Sequence, residues 1–289
     1  MRKWKLAFMA SLSYANMPAE QVVASLKSLG YEAVEWTESH FSPRTMGPRQ
    51  LRELMDVTSE AGLLTSEVCA QQDLVVLDDA VRADRIAAGL EAIYAAGEVG
   101  VRAVNLYTGP RPWIAGTPVI GRDVSLGAAW DMVYQGFDAW VPAAERSGVA
   151  IAVEGVWGML CHDVYTTLPL ITHYASPCLG VNLDPSHDVL VGNTDSGGIV
   201  RLWGRQRIHH VHLKDAVGVA EAGKFVFPML GEGVVPWSAF FGALDDIGYD
   251  GCCSVEFESF RYYRDILRGD GEEAARLSIM QVQRLLGDD

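Results

Sequence analysis

The sequence predicts a single closed (β/α)8 barrel, an α/β fold in which residues 1–289 form one domain, and three observations carry that expectation. The chain has 289 residues with 49% apolar and 21% charged content. That is ordinary for a soluble enzyme with one large core, and barrels of about 250 residues are routinely one domain. One phrase recurs along it: a helical stretch, a glycine, then a short apolar run closing on a polar residue. Apolar runs and helical stretches alternate eight times with no linker or low-complexity segment between them, which implies a parallel sheet that closes. An open doubly wound sheet is the alternative, but no G-x-G-x-x-G follows the first apolar run.

The first strand is read at Lys5 to Met9. Met1-Arg2-Lys3-Trp4-Lys5 before Leu6 to Leu12 has the outline of a signal peptide. The apolar run is short, broken by serines and without a small-x-small cleavage site, so a barrel strand is the better reading. Helix Pro18–Leu29 leads through Gly30 to a strand ending at Glu35, and Pro48–Ala61 through Gly62 to one ending at Glu67. Asp79–Val99 leads through Gly100 to Asn105, and Leu126–Ser147 through Gly148 to Glu154. Each glycine suits a helix C-terminus, where the next residue turns left-handed, and each apolar run suits a strand buried on both faces. Strands Leu179 to Leu183 and Ile208 to Leu213, after helices Tyr165–Tyr174 and Ser196–Trp203, lack the glycine and come from context. Trp237–Ile247 leads through Gly248 to a last strand reaching Glu256, and Glu272–Leu286 is the final helix. Pro18, Pro48 and Pro236 fall near helix starts, where a missing N–H is harmless.

The longer irregular pieces, Thr108 to Val124, Gly155 to Val164, Pro185 to Gly198 and Ala216 to Pro236, all follow strands. They therefore gather at the end of the barrel where barrel enzymes keep their sites. The strand ends present Glu35, Glu67, Asn105, Glu154, Asp184, His212 and Glu256. In His209-His210-Val211-His212-Leu213-Lys214-Asp215 the alternation puts His210, His212 and Lys214 on one face, opposite Val211 and Leu213. Three carboxylates and an imidazole on strands five to eight share one half of the mouth, where crowded acids raise one another's pKa and a divalent cation relieves that cost. Oxygen-rich ligands with one nitrogen suit manganese first, with magnesium or cobalt beside it; zinc, which usually prefers more nitrogen or sulfur, is the further alternative. His187, in Asp184-Pro185-Ser186-His187, is placed to bind metal or hold a substrate oxygen. Lys214 is placed to neutralise a developing oxyanion, with Asp215 read as its orienting partner. Trp113, among Pro110, Pro112 and Pro118, is read as a lid aromatic over a sugar face, and Trp36 and Trp157 as candidates for the same task.

The order of Glu154, Asp184-x-x-His187, His212-x-Lys214-Asp215 and Glu256 resembles the xylose isomerase-like barrel superfamily, in particular its sugar phosphate isomerase/epimerase branch. Leu230-Gly231-Glu232-Gly233-Val234-Val235-Pro236-Trp237 and Gly248-Tyr249-Asp250-Gly251 are similar to that branch as well. The resemblance implies a metal on Glu154, Asp184, His212 and Glu256, with Glu154 and Glu256 also the acid/base pair and His187 a substrate contact. Cys69 and Tyr107 stand near positions where the apurinic endonuclease relatives carry zinc-binding histidines. Gly218 replaces an arginine of the ketose epimerases.

The expected activity is a metal-dependent sugar isomerase or epimerase working through a metal-stabilised enediolate. The alternative is a lyase or dehydratase on a keto-inositol, keto-sugar or glycoside with the same metal site. The expected partner is a small sugar or polyol, with a homo-oligomer as an open alternative. A net charge of −14 argues against a nucleic-acid or anionic membrane partner, and no run approaches the ~18 apolar residues of a membrane span. Five cysteines without a C-x-x-C pair read as reduced thiols in a cytoplasmic protein.

Overall fold

Lys5 pairs with Cys252, and that register closes the barrel. A computed structural model describes residues 2–287; Met1, Asp288 and Asp289, which the expected domain 1–289 includes, lie outside the described residues. The barrel strands are β1 (Lys5–Met9), β2 (Ala33–Thr37), β3 (Leu64–Cys69), β4 (Ala103–Leu106), β5 (Ala150–Glu154), β6 (Leu179–Leu183), β7 (Ile208–Leu213) and β8 (Cys252–Val255). All neighbours are parallel, in the closed order β1-β8-β7-β6-β5-β4-β3-β2. The glycines of the recurring phrase, Gly30, Gly62, Gly100, Gly148 and Gly248, all adopt positive φ, between 65° and 96°. They release each helix into its strand at no steric cost.

Alternate strand positions do different work. Leu106, Ile151, Val153, Val211 and Val255 point out and join helix residues such as Phe137, Trp140 and Phe240 in the main apolar cluster. On the inner face Ala7, Ala33, Ala103 and Ala152 are buried but stand outside that cluster. Small side chains there leave room inside the barrel for Glu35, Glu67, Asn182, His210 and His212, all at most 1% exposed.

Helices α1 (Ala19–Leu29), α2 (Pro48–Glu60), α3 (Asp79–Val99), α4 (Leu126–Ser147) and α5 (Val164–Tyr174) follow the expected order. Then the structure departs from it. Pro185–Leu190, expected as loop, is a short helix α6 with Pro at its first position and Asp184 as its cap. Helix α7 (Ser196–Arg207) runs past Trp203, with a kink at Gly204. After α8 (Trp237–Asp246) and β8 comes an unexpected helix α9 (Phe260–Asp265); none of its residues is buried, so it had no apolar stripe to read. Helix α10 (Gly271–Leu286) ends the described chain. Among the described residues no helix is long and apolar enough to cross a membrane, and the five cysteines are unpaired.

Candidate active site

The alternation on β7 sends His210, His212 and Lys214 inward, each at most 3% exposed. Two tiers of polar residues meet on this strand. In the deeper tier His210 Nδ1 lies 3.0 Å from Glu67 Oε1, and His212 Nε2 lies 3.1 Å from Glu35 Oε1. Asn182 Nδ2 donates to Glu67 Oε1 at 3.1 Å and its carbonyl lies 3.2 Å from His210 Nδ1. Burial works to raise the Glu35 carboxyl, but His212 and His210 outweigh it and hold it below its usual range. Glu67 shows the opposite balance: burial pushes it up to about 7 despite His210.

The upper tier sits where β5 to β8 end. Ligand-capable atoms of Glu154, Asp184, His212 and Glu256 all lie within 4.8 Å of one another. The structure thus brings together the four residues singled out on the second half of the barrel. His212 Nδ1 is 3.1 Å from Glu256 Oε2 and 3.3 Å from Glu154 Oε1. Asn105 Nδ2 donates to Glu154 Oε2 at 3.3 Å. Asp184 caps α6, accepting from Ser186 N at 2.8 Å, and its other oxygen turns to the site. The deeper group Glu35, Glu67, His210 and His212 is equally compact, so His212 belongs to both tiers.

Lys214 Nζ closes the upper tier, 3.0 Å from Asp184 Oδ2, 2.5 Å from Glu256 Oε2 and 3.1 Å from Glu258 Oε2. Burial favours a neutral amine, but Asp184, Glu256 and Glu258 outweigh it and keep the ammonium charged. Burial likewise raises Glu256, yet Lys214 and His212 hold it well below the usual carboxylate range. Glu154, buried and beside Glu256, is raised despite His212. Burial and the nearby Lys214 ammonium push His187 down to about 4, so its ring is neutral at pH 7. Its Nε2 lies 3.5 Å from Asp184 Oδ2 and 3.3 Å from Lys214 Nζ.

Above the carboxylates opens a cavity of about 1170 Å³. Trp113, 48% exposed, and Trp157 line it, their ring centres 6.3 Å apart. Arg111 ties the Trp113 loop down, its Nε 3.0 Å from the buried Asp73. Two expectations are corrected here. Trp36 is fully buried and donates its indole N–H to Thr58 Oγ1, so it is core, not lid. Asp215 does not orient Lys214; its carboxylate accepts from the backbone of Ala216, Gly231, Gly233 and Val235 and from the Trp237 indole. It sits on the outward face of its strand position, where a loop needed an acceptor.

Glu258 and Asn182 had not been singled out, though each sits two residues from a residue that had been, Glu256 and Asp184, and so shares its inward face. Glu35 and Glu67 were placed at strand ends, but only the tertiary fold shows them reaching β7.

Residues 23–282 match the family described as xylose isomerase-like TIM barrel. L-ribulose-5-phosphate 3-epimerase UlaE of Salmonella typhi is 26% identical over 249 residues, 81% of this chain and 80% of UlaE. Protein YfiH of Bacillus subtilis is 32% identical over 170 residues, 50% of this chain, and the match spans about half of that relative, 53%. The crystal structure of 3-keto-D-glucoside 4-epimerase YcjR from E. coli superposes with a TM-score of 0.77 at 15% identity, over 98% of this chain and 100% of YcjR. The IolI protein with a bound zinc atom gives 0.74 at 17% identity, over 98% of each chain. At these identities both structures share the fold.

Proposed function

The chain belongs to the xylose isomerase-like TIM barrel family, and on that footing we propose that it is a divalent-metal-dependent sugar epimerase or isomerase. The observation that carries the reading is the convergence of Glu154, Asp184, His212 and Glu256 within 4.8 Å in a buried site. Three carboxylates there, joined by Glu258, face one ammonium, Lys214. A buried group of so many carboxylates with one imidazole fits a divalent cation. Oxygen-rich donors suit manganese, magnesium or cobalt; the zinc of IolI keeps zinc in the set. UlaE, named as a 3-epimerase, supports the reaction class.

A bound ion supplies a Lewis acid and template for a substrate carbonyl and its neighbouring hydroxyl. The protein does the proton work. Glu154 and Glu256 come from β5 and β8, on either side of β6 and β7 in the barrel order, and so face the substrate from different sides. One of the two glutamates takes the proton beside the carbonyl, and the other delivers a proton from its own side. Delivery of a proton to the same carbon from the other side inverts it; delivery to the neighbouring carbon, with the hydroxyl hydrogen passing to the former carbonyl oxygen, isomerises the sugar. Neutral His187 offers a hydrogen bond to a substrate oxygen, and Lys214 supports charge developing on one.

The test is incubation of manganese-loaded protein with a panel of free ketoses and keto-sugars in deuterium oxide. Deuterium on the carbon beside the carbonyl of recovered sugar, lost after chelation, is the expected result. Release of water or an aglycone would instead assign the lyase reaction that begins with the same step. Metal-loaded protein that exchanges no substrate carbon overturns the reading.

A further inference from the structure

The cavity is too large and too apolar for a simple sugar alone. Sites for drug-sized ligands run to about 300–1,000 Å³, and this one reaches about 1170 Å³, although a six-carbon sugar is smaller than such ligands. Its wall is a chain of aromatic rings leading outward from the carboxylates. Lys214 Nζ lies 4.7 Å from the Phe227 ring centre. Phe227 and Phe225 follow at 5.2 Å, Phe225 and Trp157 at 4.8 Å, Trp157 and Trp113 at 6.3 Å. Near the mouth Trp113 is 48% exposed and Phe260 52%. Aromatic rings lining a cavity in this way suit a flat apolar ligand group.

Charge adds an independent constraint. Glu38, Glu154, Glu232, Glu256 and Glu258 line the cavity, against Lys214 and Arg261. Lys214 is already shared among three carboxylates. The lining residues offer a phosphorylated sugar no cluster of cations.

We propose that the substrate is an uncharged keto-sugar glycoside, its carbonyl on a ring carbon and an apolar substituent, an aryl group above all, on its anomeric carbon. Its sugar ring lies at Glu154 and Glu256 and its substituent runs along the wall from Phe227 to Trp113. This rests on the reading of the upper tier as a sugar site and narrows it to a substrate class.

Manganese-loaded protein is titrated calorimetrically with phenyl and methyl glycosides matched in sugar and anomer, gluco and galacto in both anomeric forms, and with glucose and glucose 6-phosphate. The best phenyl glycoside should bind at least about tenfold more tightly than its methyl partner, the scale of aromatic contacts plus added apolar burial. Trp113→Ala, at a half-exposed position, should cut that ratio below about threefold without changing the melting temperature appreciably. Glucose 6-phosphate should bind more weakly than glucose. A phenyl-to-methyl ratio near one, no binding by any probe, or preference for the phosphate overturns the inference. Deuterium exchange on free ketoses separates the two failures. Exchange without phenyl preference sinks this inference alone, and phenyl preference without exchange on any keto-sugar sinks the epimerase reading instead.

Discussion

His212 Nε2 lies 3.1 Å from Glu35 Oε1, a contact between β7 and β2 inside the barrel. The other ring nitrogen, Nδ1, faces Glu256 and Glu154. A carboxylate on one imidazole nitrogen fixes the ring's orientation and leaves the opposite nitrogen to bind an ion, and loss of such a partner typically lowers metal affinity by about 10–100-fold. Glu35→Leu should therefore weaken manganese binding by about that factor, with Glu35→Gln, which keeps an acceptor, in between. Competition with a metal buffer measures it. Wild-type affinity in Glu35→Leu would show that Glu35 does not position His212.

Under the proposed acid/base roles, Glu154→Gln and Glu256→Gln each remove a proton carrier while preserving shape. Solvent exchange into the substrate should fall by about 10²–10⁴-fold in each, with the melting temperature little changed. His212→Ala differs in kind: it should strip metal from the purified protein, seen by elemental analysis. Full turnover in either glutamine variant would refute the acid/base assignment.

The strand ends from β5 to β8 were legible because Glu154, Asp184 and Glu256 each close an apolar run, His212 stands in an alternating one, and the barrel puts strand ends in one place. The deeper tier was not legible in the same way. Glu35 and Glu67 also close apolar runs, but nothing local says that β2 and β3 reach across the lumen to His212 and His210. That depends on the alanines at Ala7, Ala33, Ala103 and Ala152, small residues that read equally well as core. Asp215 failed for a related reason. Its neighbour Lys214 is adjacent in sequence, but successive strand residues point to opposite faces, so Asp215 serves the loop.

Glu67 should leave its mark on stability. Burial raises its folded-state pKa from the ordinary 4.5 to about 7. Between those values the folded protein holds a proton that the unfolded chain releases, so this contribution is full at acid pH and is lost as pH rises towards 7. In metal-free protein, Glu67→Gln should flatten that decline of melting temperature between about pH 4.5 and 7. Calorimetry across the window decides it; a slope as steep as wild type's would mean the decline has another source.

The phrase Leu230-Gly231-Glu232-Gly233-Val234-Val235-Pro236-Trp237 folds around one carboxylate. Asp215, 1% exposed, accepts from Gly231 N at 2.9 Å, Gly233 N at 3.0 Å, Val235 N at 3.1 Å and Trp237 Nε1 at 2.9 Å. The carboxylate sits so close to Gly233 that a Cβ there would collide with it. Hydrogen bonds to a charged group contribute about 1.5–3 kcal/mol each, and stranded buried donors cost about 1–3 kcal/mol. Water will satisfy some donors, so Asp215→Ala should lose about 3–5 kcal/mol, and Asp215→Asn, which keeps one carbonyl acceptor, less. The same segment, between Ala216 and Pro236, carries Phe225 and Phe227 of the cavity wall. Limited proteolysis should then cut Asp215→Ala within residues 216–236 first, before global unfolding. Cleavage elsewhere, or a melting temperature equal to wild type's, would show that Asp215 does not hold this loop.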